Sequence, residues 1–166
     1  MGNSISNKYI NFEDMHTAIN MHTAVNMHSA INMHSAINMH SAINMHPANA
    51  NKDYIIINTL HENLQKCLIQ GTVALSSEEE ILNTYLKSNK HIKILVYGMN
   101  AQDSTPHKKY EQLIALGFSN VFIYNGGLFE WLLLQDIYGK ELFATTTQER
   151  DILKYKGIQQ FTKRLL

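Results

Sequence analysis

Cys67 is the only cysteine in the 166-residue chain, so a thiolate nucleophile, a persulfide or a redox couple has no second thiol to work with. It stands beside the apolar pair Leu68–Ile69, just ahead of a short apolar run. That setting reads as packing, because apolar burial raises a thiol's pKa and quenches its reactivity, and a redox role is the lesser alternative. Ser104 and Thr105 are hydroxyl candidates, but they stand just before Pro106 at a helix start. Such residues usually cap the helix, and no base is spaced to activate them. His107, in the first turn of that helix, is a candidate ligand contact; His61 and His91 belong to no constellation.

The other six histidines, at 16, 22, 28, 34, 40 and 46, come from a hexamer, Met-His-Ser/Thr-Ala-Ile/Val-Asn, that recurs from Met15 and decays at Pro47. Six residues advance an α-helix by about 600°, so successive copies rotate by a third of a turn and no single apolar face builds up. In an extended chain the even period puts every histidine on one side, where zinc or nickel would bind weakly. Repeat slippage copies histidine without regard to ligand geometry, so no metal is expected, and residues 15–50 read as disordered or loosely helical. A hexapeptide solenoid would need more coils to bury a core.

Lys plus Arg and Asp plus Glu are 14 each, so no global field favours nucleic acid, and no nucleic-acid partner is expected. The single cysteine excludes an internal disulfide and fits a reducing interior. No apolar stretch approaches the roughly 20 residues that cross a bilayer, and there is no secretory leader. A cytoplasmic location is therefore expected.

From Tyr54 onward, short apolar runs alternate with helical segments, the pattern of an α/β fold with a mostly parallel sheet. Ile55–Ile57, Gly71–Leu75, His91–Tyr97 and Val121–Tyr124 read as strands. Ser76 and Ser77 read as caps of a helix through Lys87, with Glu79 and Glu80 placed for capping boxes. After the polar loop Gly98–Ser104, a helix opening at Thr105–Pro106 presents Tyr110, Leu113, Ile114 and Leu116 to a core and stops at Gly117. Leu128–Ile137 is a strongly apolar helix carrying Phe129, Trp131, Leu132 and Leu133, and Thr146 with Glu149 reads as the cap of a last helix. Strand, polar loop and helix N-terminus in succession is an anion-binding arrangement.

The run Ile94-Leu-Val-Tyr97, loop, helix, Leu116-Gly-Phe-Ser-Asn-Val121 and Tyr124-Asn-Gly-Gly-Leu-Phe-Glu-Trp131 is similar to the C-terminal half of a rhodanese domain. Ile55-Ile-Ile-Asn58 occupies the place of the family's first-strand motif, with Asn58 for the usual aspartate. The resemblance covers about residues 52 to 142, and Asn11–Met15 resembles the leading helix of the family, which makes the hexamers an insertion. It implies a rhodanese-like three-layer α/β/α domain with a mostly parallel central sheet over 51–157. Before it stand an N-terminal segment, 1–14, and the low-complexity hexapeptide repeat, 15–50; a tail, 158–166, follows.

Active members of that family carry a loop cysteine that takes up sulfane sulfur, held by backbone N–H groups and the next helix's N-terminus. Here the loop is Gly98, Met99, Asn100, Ala101, Gln102, Asp103 and Ser104. Whether the family position falls at Gly98 or at Ala101, no cysteine stands there, and Asp103 adds negative charge where an anion would bind. The resemblance thus implies an inactive binding or regulatory domain, without catalytic residues or cofactor, whose loop still presents backbone donors to an unknown protein partner. The alternative is an active thiosulfate sulfurtransferase or persulfide carrier using Cys67 or another unconventional nucleophile. A third reading makes the repeat itself an interaction or metal-binding segment, with the domain as scaffold.

Met1-Gly2-Asn-Ser-Ile-Ser6 fits the N-myristoylation pattern, with Gly2 as acceptor and N-myristoyltransferase as the modifying enzyme. One acyl chain gives only marginal membrane binding, and Lys8 is the only nearby positive charge. Peripheral, transient attachment to a membrane surface is expected, with the repeat as spacer.

Overall fold

The computed structural model of the chain describes residues 8–20 and 53–161. Gly2, the hexamer copies from Met21 onward and the last five residues lie outside that range, so the expectations for acylation and for most of the repeat fall there.

Four parallel strands form one sheet in the order β1-β4-β3-β2: β1 is Tyr9–Ile10, β2 Tyr54–Asn58, β3 Lys93–Tyr97 and β4 Val121–Tyr124. The apolar runs are continuous because both faces of the central strands are covered. Period-two alternation divides them between two cores. Ile56, Leu95, Tyr97 and Tyr124 join one cluster, and Ile55, Ile57, Ile94, Val96 and Val121 the other.

Helix α1 (residues 12–20) and α4 (Gly127–Tyr138) cover the first face; α2 (Glu78–Ser88) and α3 (Thr105–Leu116) cover the second. This is the expected three-layer α/β fold with a parallel sheet. α3 ends at Gly117, whose φ of 106° supplies the left-handed C-cap. Trp131 is fully buried against Tyr124 and Phe143, edge to face.

The folded unit reaches back to Lys8, well before residue 51. Asn11 caps α1 through its side chain, accepting from Asp14 N at 3.1 Å, and β1 pairs with β4. The first hexamer copy, Met15–Asn20, is helical, with Met15 fully buried and Ala18 and Ile19 packed on the core.

Several local expectations give way to tertiary contacts. Gly71–Leu75 is not a strand: it makes a single bridge, Thr72 to Ile56, with Val73 N donating to Ile56 O, and a 3-10 turn at Leu75–Ser77 follows. Ser77 makes no side-chain cap on α2; Glu78, at the helix start, pairs instead with Lys109 of α3. Ile114, Leu116 and Leu133 are exposed, because only one stripe of α3 and of α4 faces the sheet. Thr146 and Glu149 cap no α-helix. Thr146 Oγ1 accepts from Leu68 N at 3.0 Å and donates to the Lys66 carbonyl at 3.1 Å. Glu149 takes the amides of Arg150 and Asp151 ahead of a 3-10 turn at Ile152–Tyr155.

Candidate functional site

The loop Gly98–Ser104 leaves the carboxyl end of β3, flanked by β2 and β4, where open parallel sheets place ligands. Two glycines make it possible. Gly127, at φ +63°, opens α4 so close to the loop that a Cβ there would stand 2.6 Å from Gly98 O and 2.8 Å from Asn100 N. A Cβ on Gly98 would lie 2.3 Å from Asp103 Oδ2 and 2.7 Å from Pro106 Cγ. The first free amides of α4 then donate to the loop: Leu128 N to Gly98 O and Phe129 N to Met99 O, both at 2.9 Å.

Asp103 turns inward and organises the remainder. Its Oδ2 accepts from Met99 N at 2.9 Å, and its Oδ1 from Thr105 N at 2.9 Å and Thr105 Oγ1 at 2.7 Å. Asp103 N donates to Asn100 O at 3.0 Å, and Gln102 N to Asn100 Oδ1 at 2.9 Å. Four loop and helix-start amides, at Met99, Gln102, Asp103 and Thr105, are thus taken by acceptors of the loop itself. The loop was expected to present its backbone donors; the Asp103 carboxylate takes two of them, Met99 N and Thr105 N, at the α3 N-terminus where negative charge is favoured, and Asn100 takes two more.

The dispersed candidates do not assemble. Ser104 precedes α3 without a side-chain cap bond, and Thr105 Oγ1 is committed to Asp103 and Thr59. His107 Nε2 lies 3.0 Å from Tyr9 Oη, His61 Nδ1 3.0 Å from Asn63 Oδ1, and His91 Nδ1 2.7 Å from Ser119 Oγ. Cys67 is 2 % exposed, in the core cluster with Tyr97 and Tyr155. Its Sγ donates to Thr147 O at 3.3 Å, and burial pushes its pKa up. Among the described residues, no group of three or more His, Cys, Asp or Glu is placed to hold a metal ion, and no helix is long and apolar enough to cross a membrane.

Asn58, read as a substitute for an aspartate, is buried at the end of β2. Its Oδ1 accepts from Leu60 N at 3.1 Å and Gln65 Nε2 at 2.8 Å, a structural role. Tyr97, missed in the sequence, ties β3 to the segment after Cys67: its Oη accepts from Ile69 N at 3.1 Å and lies 3.0 Å from Thr72 Oγ1. A cleft of about 530 Å³, with Ile10, Ala18, Tyr54, Leu95 and Phe122 in its lining, opens toward Asp53 and Lys93 at the amino ends of the strands, away from the loop.

Residues 23–134 match the family model described as the rhodanese-like domain. Among solved structures, the chain is similar to the rhodanese-like domain of an Anabaena sp. protein, at 22% identity and a TM-score of 0.41, over 58% of this chain and 95% of that one. A second crystal structure of that Anabaena protein matches at 21% identity and a TM-score of 0.41, over 61% of this chain and 83% of the other. No curated protein sequence matches significantly.

Proposed function

Because the chain belongs to the rhodanese-like domain family, we propose that it is a member without transfer chemistry: a binding or regulatory domain, N-myristoylated at Gly2 and transiently attached to a membrane surface. The observation that carries the first part is the Asp103 carboxylate, bonded to Met99 N, Thr105 N and Thr105 Oγ1 in a loop without cysteine. An incoming thiosulfate would meet a fixed negative charge and, at Met99, Gln102, Asp103 and Thr105, amides already paired. Cys67 supports the same reading: a thiol 2 % exposed, with a raised pKa, is a poor nucleophile.

Sulfur loading tests it. Intact-mass measurement after incubation with thiosulfate should show an unchanged chain, and a sulfur adduct on Cys67 would overturn the reading. The acylation is separable: co-expression with N-myristoyltransferase should add one acyl mass that Gly2→Ala abolishes. The acylated protein should sediment weakly with lipid vesicles, because one chain anchors reversibly. No acyl mass would remove the membrane part alone. The partner is a protein met through the loop end of the sheet, with the repeat as spacer.

A further inference from the structure

The outer side of the same loop holds the chain's own C-terminal segment. At the end of the 3-10 turn, Tyr155 is an anchor: it is 1 % exposed, its Oη donates to Glu149 Oε2, and its carbonyl accepts from Asn100 Nδ2 at 2.8 Å. Lys156 is extended, with φ −61° and ψ 159°, and residues 156–161 run on as a strap. Ile158 N donates to Gln102 Oε1 at 2.7 Å. Gly157 lies so close that a Cβ would stand 2.7 Å from that oxygen. Ile158 and Phe161 remain exposed, so the strap buries no large side chain beyond Tyr155.

We propose that the loop Gly98–Ser104 is a latch for residues 156–161, and that this strap opens as a unit about Lys156 while the domain beneath stays folded. Three features support it. Both gripping side chains, Asn100 and Gln102, belong to the loop, and Asn100 links them, its Oδ1 accepting from Gln102 N while its Nδ2 holds the anchor. The hold is one hydrogen bond from a main-chain amide to a side chain plus a glycine-sized approach, with little buried apolar area, which places the strap at the low-stability end of the fold. Asp103 fixes the loop from the inside, so the loop stays in place when the strap leaves. The strap therefore gates access to the outer side of Asn100 and Gln102 whether or not the loop does chemistry.

Amide hydrogen exchange on the full chain tests this. Ile158 N–H should be protected in the parent protein and lose roughly tenfold of its protection in Gln102→Ala, the scale of one side-chain hydrogen bond. Gly157→Val should do the same by wedging the strap away, and Gln102→Glu, which keeps an acceptor oxygen, should behave like the parent. Ile94 N–H in the sheet should be unaffected in all three. An unprotected Ile158 amide in the parent would show that nothing is latched. Equal loss of protection at Ile94 and Ile158 would show that the strap opens only with the whole domain.

Discussion

Replacing Asp103 by alanine tests whether the loop's own carboxylate fills the place of an anion. The substitution removes three accepted hydrogen bonds, from Met99 N, Thr105 N and Thr105 Oγ1. Hydrogen bonds to a charged acceptor contribute about 1.5–3 kcal/mol each when buried. Asp103 is only half-buried, and water can reach the vacated amides, so the net cost should be about 2–3 kcal/mol for all three. For a domain of this size that is a fall in Tm of roughly 8–12 °C. The same change leaves paired amides open at the N-terminus of α3. Thiosulfate, compared with chloride at matched ionic strength, should therefore raise the Tm of Asp103→Ala by several degrees more than that of the parent. The parent controls for general salt effects. The reasoning is refuted if the variant is as stable as the parent, or if thiosulfate stabilises both equally.

Gly127→Ala should cost about 3 kcal/mol or more, because a positive φ is disfavoured for alanine and the new Cβ meets main-chain atoms of Gly98, Met99 and Asn100; urea denaturation reads it directly. Tyr97→Phe should cost about 2 kcal/mol, since it leaves Ile69 N without its acceptor in a fully buried place. For Cys67, whose pKa is pushed up by burial, alkylation by iodoacetamide should stay slow at pH 8.5 and become fast only in denaturant; rapid labelling of the native protein would show the site to be open.

The central strands were legible because three β-branched or aliphatic runs, at Ile55, Ile94 and Val121, are covered on both faces and so lack any competing period. Gly117 was legible for a different reason: a C-cap needs a positive φ, which glycine supplies. What failed was decided at a distance. Thr146 and Glu149 carry a perfectly good capping spacing, yet Thr146 bonds to Lys66 and Leu68 on a segment almost eighty residues away. Gly71–Leu75 has strand composition but pairs with β2 only at one bridge, Thr72 to Ile56, closed by Val73 N on Ile56 O. The two residues of β1 give no sequence signal, because β4 pairing alone makes them a strand. At the site, the absence of cysteine could be read directly from Gly98 to Ser104. The inward turn of Asp103 could not, since an aspartate before a helix looks the same whether it faces solvent or the loop. The grip of Asn100 and Gln102 on residues 155–158 likewise joins segments that no local pattern connects.

The central claim, a rhodanese-like domain without transfer chemistry, is met most directly by assaying thiocyanate release from thiosulfate and cyanide with the purified protein beside Ala101→Cys and Gly98→Cys. The parent should release none. Of the variants, Gly98→Cys should lose stability, because its side chain falls on Asp103 and Pro106, whereas exposed Ala101 accepts a thiol without collision. Thiocyanate release by the parent that Cys67→Ser abolishes would contradict the account and make the buried thiol the nucleophile.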